Sequence, residues 1–314
     1  MYTASGAAPI SRADLEQEVQ IFEYSQAANP IDSGSTPRIP AREFGAELYE
    51  FGPSRVIPLD LSKELRCPYP ATGASLLASF LRINAGDELK TAANATSEFY
   101  FVIRGRGRTE TEAGSIEWKA GDFLVLPGIE SIHFADEDAV LYSVNDSPLL
   151  GYLGVRRDRA RFRPTLYTRE AVMRELEAAK NDPQASTRSR ISVLLANTNF
   201  EQTMTITHVL WTMFGIISPG TRQLPHRHQS VALDYVVDAK PGVYTLLSTE
   251  LNADGTLKDP ARVDWKSGSA FVTPPGYWHE HRNESGSDAY IMPIQDAGLH
   301  TYLRTLDIQF YLED

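Results

Sequence analysis

The feature that most constrains this chain is that it repeats itself. Gly86-Asp-Glu-Leu-Lys-Thr, leading to Ala92-x-Asn94, has a counterpart 134 residues later in Gly220-Thr-Arg-Gln-Leu-Pro, leading to His226-x-His228. Gly121-Asp-Phe-Leu-Val-Leu-Pro127 is matched 147 residues later by Gly268-Ser-Ala-Phe-Val-Thr-Pro274, so the second copy holds 13 more residues between its motifs. The stretch LNADGTLKDPARVDW is the place for them. Around these motifs run short apolar segments of β type (SLLASFLRI, EFYFVIRG, DFLVLPG and AVLYSV, then ISVLLAN, MTITHVLWTMFGII, LDYVVDA, VYTLLSTEL, SAFVTPPG and AYIMPIQ), punctuated by Gly, Asp and Pro. A strand-rich repeat of this length predicts an all-β chain of two similar barrels in tandem.

The expected division is an N-terminal helix and arm over residues 1–48, a first barrel over 49–160, a helical linker over 161–190 and a second barrel over 191–314. Ser11-Arg-Ala-Asp14 reads as a capping box, and Leu15, Val19 and Phe22 fall at helical spacing, so one amphipathic helix is predicted over 11–28. Thr168 caps a second helix to Lys180, with Val172, Leu176 and Ala179 on one face. A net charge of −11, from 30 basic and 41 acidic residues, argues against nucleic acid or an anionic membrane as partner. One cysteine rules out an intrachain disulfide and a thiolate zinc site. With no apolar stretch long enough for a membrane span, the expectation is a cytoplasmic protein that meets small molecules and its own copies. A homo-oligomer is expected because sheet edges and the arm need covering.

Four of the seven histidines form two His-x-His pairs, His226 with His228 and His279 with His281. Residues i and i+2 of a strand share a face, so each pair presents two imidazoles to one side, and barrel closure can bring the pairs together. Pro225 and the Pro274-Pro275-Gly276 turn suggest that both pairs begin strands at a barrel mouth. His208 and His300, each isolated, read as structural.

Gly220, five residues, His226-x-His228, then Gly268, five residues, Pro274-x-Gly276-x-x-His279-x-x-x-Asn283 resembles the two cupin motifs in order. The resemblance implies a bicupin: tandem double-stranded β-helix (jelly-roll) barrels with a few short helices. The glutamate often found after the second histidine is missing, so it implies a three-histidine site. LPHRHQSVALDYVV, PPGYWHEHRNE and LRTLDIQFY are similar to the gentisate and salicylate 1,2-dioxygenase group, over residues 205–311. That similarity implies a non-haem Fe(II), extradiol-type enzyme that opens a hydroxylated aromatic ring with O2. Its metal ligands would be His226, His228 and His279, which leave three positions open on an octahedral ion. His281 would hydrogen-bond substrate or dioxygen and move a proton, with Trp211 and Asp296 lining the substrate site.

Two departures matter. Where gentisate-type enzymes carry an arginine that clamps the substrate carboxylate, this chain has Asp234, which would repel a benzoate and suits a phenolic hydroxyl. A hydroquinone is therefore an expected substrate beside gentisate and salicylate. In the first barrel both motif histidines are replaced, by Ala92 and Asn94, yet Asn94, Glu98 and His133 offer oxygen, oxygen and nitrogen donors for a possible second metal site. ANATSEFYFVIRG is similar there to the large subunit of two-component hydroquinone dioxygenases, which implies a second subunit as partner. Two other functions stay open: a non-oxidative zinc or manganese isomerase or hydrolase, and a non-catalytic ligand-binding bicupin.

Overall fold

The structure, a computed structural model, describes residues 9–311. Residues 9–38 form a unit of their own. The continuous helix predicted over 11–28 does not form there; Arg12–Glu16 and Tyr24–Ala27 are separate short helices. Ser11 does cap the first, its hydroxyl accepting from Asp14 N. The apolar spacing fails to extend it because Leu15, Val19 and Phe22 remain exposed, and a helix that buries no face is marginal at this length. β-Branched Val19 and Ile21 and aromatic Phe22 and Tyr24 add low intrinsic propensity.

From residue 39 the chain is built on four antiparallel sheets. The first barrel pairs a six-stranded with a four-stranded sheet. In the larger, the strands lie in the order Thr165–Tyr167, Phe123–Pro127, Ser97–Arg104, Ala139–Asn145, Leu77–Ile83, Arg55–Pro58. The smaller has the order Glu88–Thr91, Ser131–Ala135, Arg106–Thr111, Gly114–Lys119. In the second barrel the larger sheet repeats that order with Glu43–Phe44, Ala270–Thr273, Ala232–Asp238, Ala289–Gln295, Trp211–Ile217, Ile191–Leu195. Its smaller sheet runs Ala261–Asp264, Val243–Ser248, Trp278–Asn283, Arg222–Arg227, Gln309–Phe310.

One edge of each larger sheet comes from outside the repeat. Glu43–Phe44, in the segment expected to be an arm, pairs with Phe271 and Ala270 of the second barrel. Thr165–Tyr167, expected to be linker, pairs back onto Phe123–Val125 of the first. Each covers a row of main-chain groups that would otherwise be an open edge. The larger sheets also share one core: Phe101 packs on Tyr235 at 5.5 Å between ring centres, Phe123 on Phe214 at 5.7 Å, and Tyr142 stacks on Tyr235 at 4.9 Å. The helix Arg169–Lys180, capped by Thr168, buries Val172 and Leu176 in that core. Each such side chain contributes about 1.5–3 kcal/mol. Among the described residues no helix is long and apolar enough to cross a membrane.

Candidate metal centre

Two neighbouring strands of the second barrel's smaller sheet bring the histidine pairs together. His226 lies directly opposite His279, and Gln223 opposite His281, with an irregularity in the ladder between them. The first pair ends its strand rather than beginning it, since His226 is near the close of Arg222–Arg227 and His228 lies just beyond. The irregularity and the strand end let four imidazoles converge where flat pairing would spread them. Ring centres are 4.0 Å apart for His226 and His279, 4.9 Å for His228 and His279, and 5.9 Å for His279 and His281.

All four are buried. Burial, reinforced by their neighbours' charges, drives His226, His279 and His281 well below the ordinary imidazole range, and lowers His228 to about 4. Neutral imidazoles are what a metal ion requires of its ligands. Potential ligand atoms of His226, His279 and His281 all lie within 4.8 Å of one another, close enough to hold an ion. Main-chain carbonyls orient three of the rings: Leu224 O faces His226 Nδ1 at 3.0 Å, Ser230 O faces His228 Nδ1 at 2.9 Å, and Tyr277 O faces His279 Nδ1 at 3.0 Å. Ser230 Oγ, which donates to Gln295 Oε1 at 2.7 Å, supports His228 as well. The donor set fits a borderline divalent cation such as iron, zinc or manganese.

The four histidines border a pocket of about 260 Å³ walled also by Trp211, Asp234 and Phe310. Since a cavity of about 150 Å³ admits benzene, this one has room for a single substituted ring. Trp211 and Asp234 both line this pocket. Asp234 is fully buried, accepts from Thr273 Oγ1 at 2.7 Å, and is raised to about 6 by that burial.

Arg190 is the residue that sequence reasoning missed. It precedes the edge strand Ile191–Leu195, in a stretch that reads as a polar loop, and it lines the same pocket. Its Nε and Nη2 are buried and find no hydrogen-bond partner among the described residues. Burial lowers it to about 10 against the pull of Asp234, so it is cationic at neutral pH. Gly215, opposite Ser192, makes room: a Cβ there would lie 2.9 Å from Arg190 Nε and 2.5 Å from Ser192 Oγ. Gln223 Oε1 is likewise buried without a partner. Phe310, from the C-terminal strand, stacks on His226 at 5.6 Å and 17°. Only the sequence LRTLDIQFY hinted at that wall.

Two expected sites are corrected. Asp296 does not line the pocket; its neighbour Gln295 does. The Asp296 carboxylate accepts from Val231 N at 3.0 Å and from Ser75 Oγ of the first barrel at 2.5 Å, a role in joining the barrels. Asp146, at the same strand-to-helix corner of the first barrel, likewise accepts from Thr96 N and Ser97 N. Nor does the structure gather Asn94, Glu98 and His133 as a set of free donors. Asn94 is exposed, with both amide atoms bonded to main chain at Val155 and Arg157. His133 has both ring nitrogens occupied, Nδ1 by Thr109 Oγ1 at 2.8 Å and Nε2 by Thr91 Oγ1 at 3.1 Å. Glu98 accepts from Tyr100 OH through Oε2, while its Oε1 is buried without a partner among the described residues. His208 packs against Phe200 and Phe162, and His300 meets Thr305 Oγ1 at 3.1 Å.

This architecture is that of known structures. Salicylate 1,2-dioxygenase from Pseudoaminobacter salicylatoxidans superposes with a TM-score of 0.72 over 97% of this chain and 96% of that one, at 12% identity. The fold is that of a bicupin. Oxalate decarboxylase also matches, with a TM-score of 0.54 over 81% of this chain and 76% of its own, at 14% identity. In sequence, this bicupin resembles ring-cleaving dioxygenases. It is 26% identical over 152 residues to 5-aminosalicylate 1,2-dioxygenase of Comamonas sp, covering 48% of this chain and 37% of that protein. With gentisate 1,2-dioxygenase 1 of Aquipseudomonas alcaligenes the identity is 28% over 151 residues, 48% of this chain and 40% of that protein. The match thus spans less than half the length of these relatives. No protein-family model matches the sequence.

Proposed function

We propose that this bicupin is a dioxygenase whose second barrel opens the ring of a single-ring hydroxylated aromatic acid of the salicylate or gentisate type, by extradiol-type cleavage beside the hydroxyl. The observation that carries this reading is Arg190, whose buried Nε and Nη2 find no hydrogen-bond partner among the described residues, in the same small pocket as the histidine cluster. A buried cation without a partner is costly and takes up an anionic ligand readily. Arg190 supplies the carboxylate clamp that the sequence lacks at Asp234, so a benzoate is held from the residue that leads into the edge strand Ile191–Leu195.

Asp234, ionised for the most part at neutral pH, accepts a hydrogen bond or proton from the phenol. Trp211 presents its ring to the aromatic face, Phe310 keeps water from the His226 side, and His281 donates to the bound ligand. Iron(II) held by the imidazoles would supply the redox chemistry that ring cleavage by dioxygen needs and that zinc cannot. A hydroquinone is the second reading, favoured by Asp234 itself, which repels a second anion.

Anaerobic loading with Fe(II), followed by oxygen-electrode assays on salicylates, gentisate, hydroquinones and catechols, tests the proposal. Oxygen uptake is expected with the hydroxylated acids. Turnover of hydroquinones alone would favour the second reading, and no uptake with any of the panel would sink both in favour of a non-oxidative or binding role.

A further inference from the structure

Distance and hydrogen bonding select different ligands among the four histidines. Proximity groups His226 and His279 with His281. The direction of the hydrogen bonds groups them with His228. A carbonyl oxygen only accepts, so His226, His228 and His279, each facing a main-chain carbonyl through Nδ1, carry their proton there and keep a lone pair on Nε2. Gln223 Nε2, 3.4 Å from His226 Nε2, donates toward that lone pair.

His281 is held differently. Its Nδ1 lies 2.8 Å from Thr245 Oγ1, which already accepts from Trp265 Nε1 at 2.8 Å. Thr245 is fully buried, and its hydroxyl has no other acceptor among these bonds. If His281 Nδ1 held a proton, the threonine hydrogen would be left buried without an acceptor, which folded proteins avoid. We infer that Trp265 and Thr245 are positioning residues that lock the proton of His281 on Nε2, so that this imidazole faces the pocket as a hydrogen-bond donor and stays out of the metal's donor set.

The first barrel repeats the device where no ligand histidines surround it. Trp118 Nε1 donates to Thr109 Oγ1 at 2.9 Å, and Thr109 faces His133 Nδ1 at 2.8 Å. With Nδ1 accepting, His133 Nε2 donates to Thr91, 3.1 Å away; Thr91 lies 3.1 Å from the Tyr100 hydroxyl, which donates to the Glu98 carboxylate. In that direction every hydroxyl gives its hydrogen once and the chain ends on an acceptor. The opposite direction leaves Thr109 orphaned.

The inference rests on the second barrel being a metal site, not on ring cleavage. Imidazole ¹H–¹⁵N correlation spectra of the full-length, metal-free chain separate the two tautomers, and His281→Gln and His133→Gln assign the two signals that matter. His281 and His133 are expected as Nε2–H forms, and the three carbonyl-bound histidines as Nδ1–H forms. Thr245→Val is expected to release His281 from the pure Nε2–H form and Thr245→Ser to restore it. An Nδ1–H signal for His281 in the unsubstituted chain, or no change in a folded Thr245→Val, overturns the inference. Should that variant not fold, Thr109→Val puts the same question to His133. Zinc titration tests the donor set: His228→Ala is expected to weaken binding on the order of 100-fold and His281→Ala by no more than about threefold. The reverse ranking overturns the exclusion of His281. The tautomer pattern in a chain that turns over no aromatic would support this inference while refuting ring cleavage.

Discussion

In both barrels an indole donates to a threonine hydroxyl that faces a histidine, Trp118–Thr109–His133 in the first and Trp265–Thr245–His281 in the second. What differs is the far side of each imidazole. In the first barrel, Ala92, Asn94 and Ser131 occupy the places of His226, His228 and His279, and the interior closes with a chain of hydroxyls running to Glu98. In the second, the same side opens on three further imidazoles, Arg190 and Asp234. The comparison teaches that the polar scaffold behind the site does not depend on the ligands. A barrel without ligands can keep it, provided each buried donor finds another acceptor.

The largest expected effect separates the barrels outright. His226→Ala should abolish stoichiometric metal binding, whereas Glu98→Ala in a folded chain should leave it intact, as metal analysis per chain would register. Retained metal in the first variant and loss in the second would move the metal site to the first barrel and undo the comparison.

Next comes the acid at the end of the first barrel's chain. Burial raises Glu98 from 4.5 to about 7, so the folded protein holds a proton that the unfolded chain releases. Its contribution is therefore fully present below pH 4.5 and is lost as pH rises through about 7. For this shift the loss approaches about 3 kcal/mol. Asp146, Asp234 and Asp296 are raised by burial too, so the quantity to measure is the difference between wild type and Glu98→Gln in urea unfolding across pH 4.5 to 7.5. Wild type should lose stability relative to the variant over that interval. A constant difference would show that Glu98 is ionised throughout.

For the second barrel, replacing Arg190 by Met removes a charged hydrogen-bonding group worth about 2 kcal/mol to an aromatic acid. KM for a salicylate should rise about 30-fold while any turnover of a neutral hydroquinone is unaffected. An equal effect on both would make Arg190 a structural cation rather than a clamp.

How much of this was legible in the sequence depends on the range of the interaction. The tandem barrels and the histidine pairs could be read because spacing within one strand, or between two copies of a motif, is a local property. Arg190 could not, because its place in the pocket is set by the register of an edge strand, Ile191 opposite Ile216, which no local pattern reveals. Asp296 was misread for a similar reason, since its partner Ser75 is 221 residues away in the other barrel. The N-terminal helix failed the other way, a local pattern with no buried face to enforce it. Thr245 and Trp265 were within reach, as counterparts of Thr109 and Trp118, but a threonine and a tryptophan in strands suggest packing until their hydrogen bonds are traced.

The smallest expected effect concerns the one strand that the smaller sheet of the first barrel does not have. Gln309–Phe310 adds to the edge beside the histidines: Phe310 pairs with His226, and Gln309 with Arg227. Phe310 stacks on the His226 ring while remaining 44% exposed, so its aromatic contact is partly solvated and is worth about 1 kcal/mol at most. Phe310→Ala should therefore make the second barrel resemble the first in having an open flank, without removing any ligand. Metal dissociation, followed by chelator competition, should quicken about fivefold. Gln309→Ala is the control: it breaks the side-chain bonds from Arg227, at 2.7 and 2.9 Å, but keeps the aromatic cover, and should leave the rate nearly unchanged. If both variants accelerate release alike, the strand acts through its attachment to the sheet; if neither does, the imidazoles hold their ion without help from the C-terminal strand.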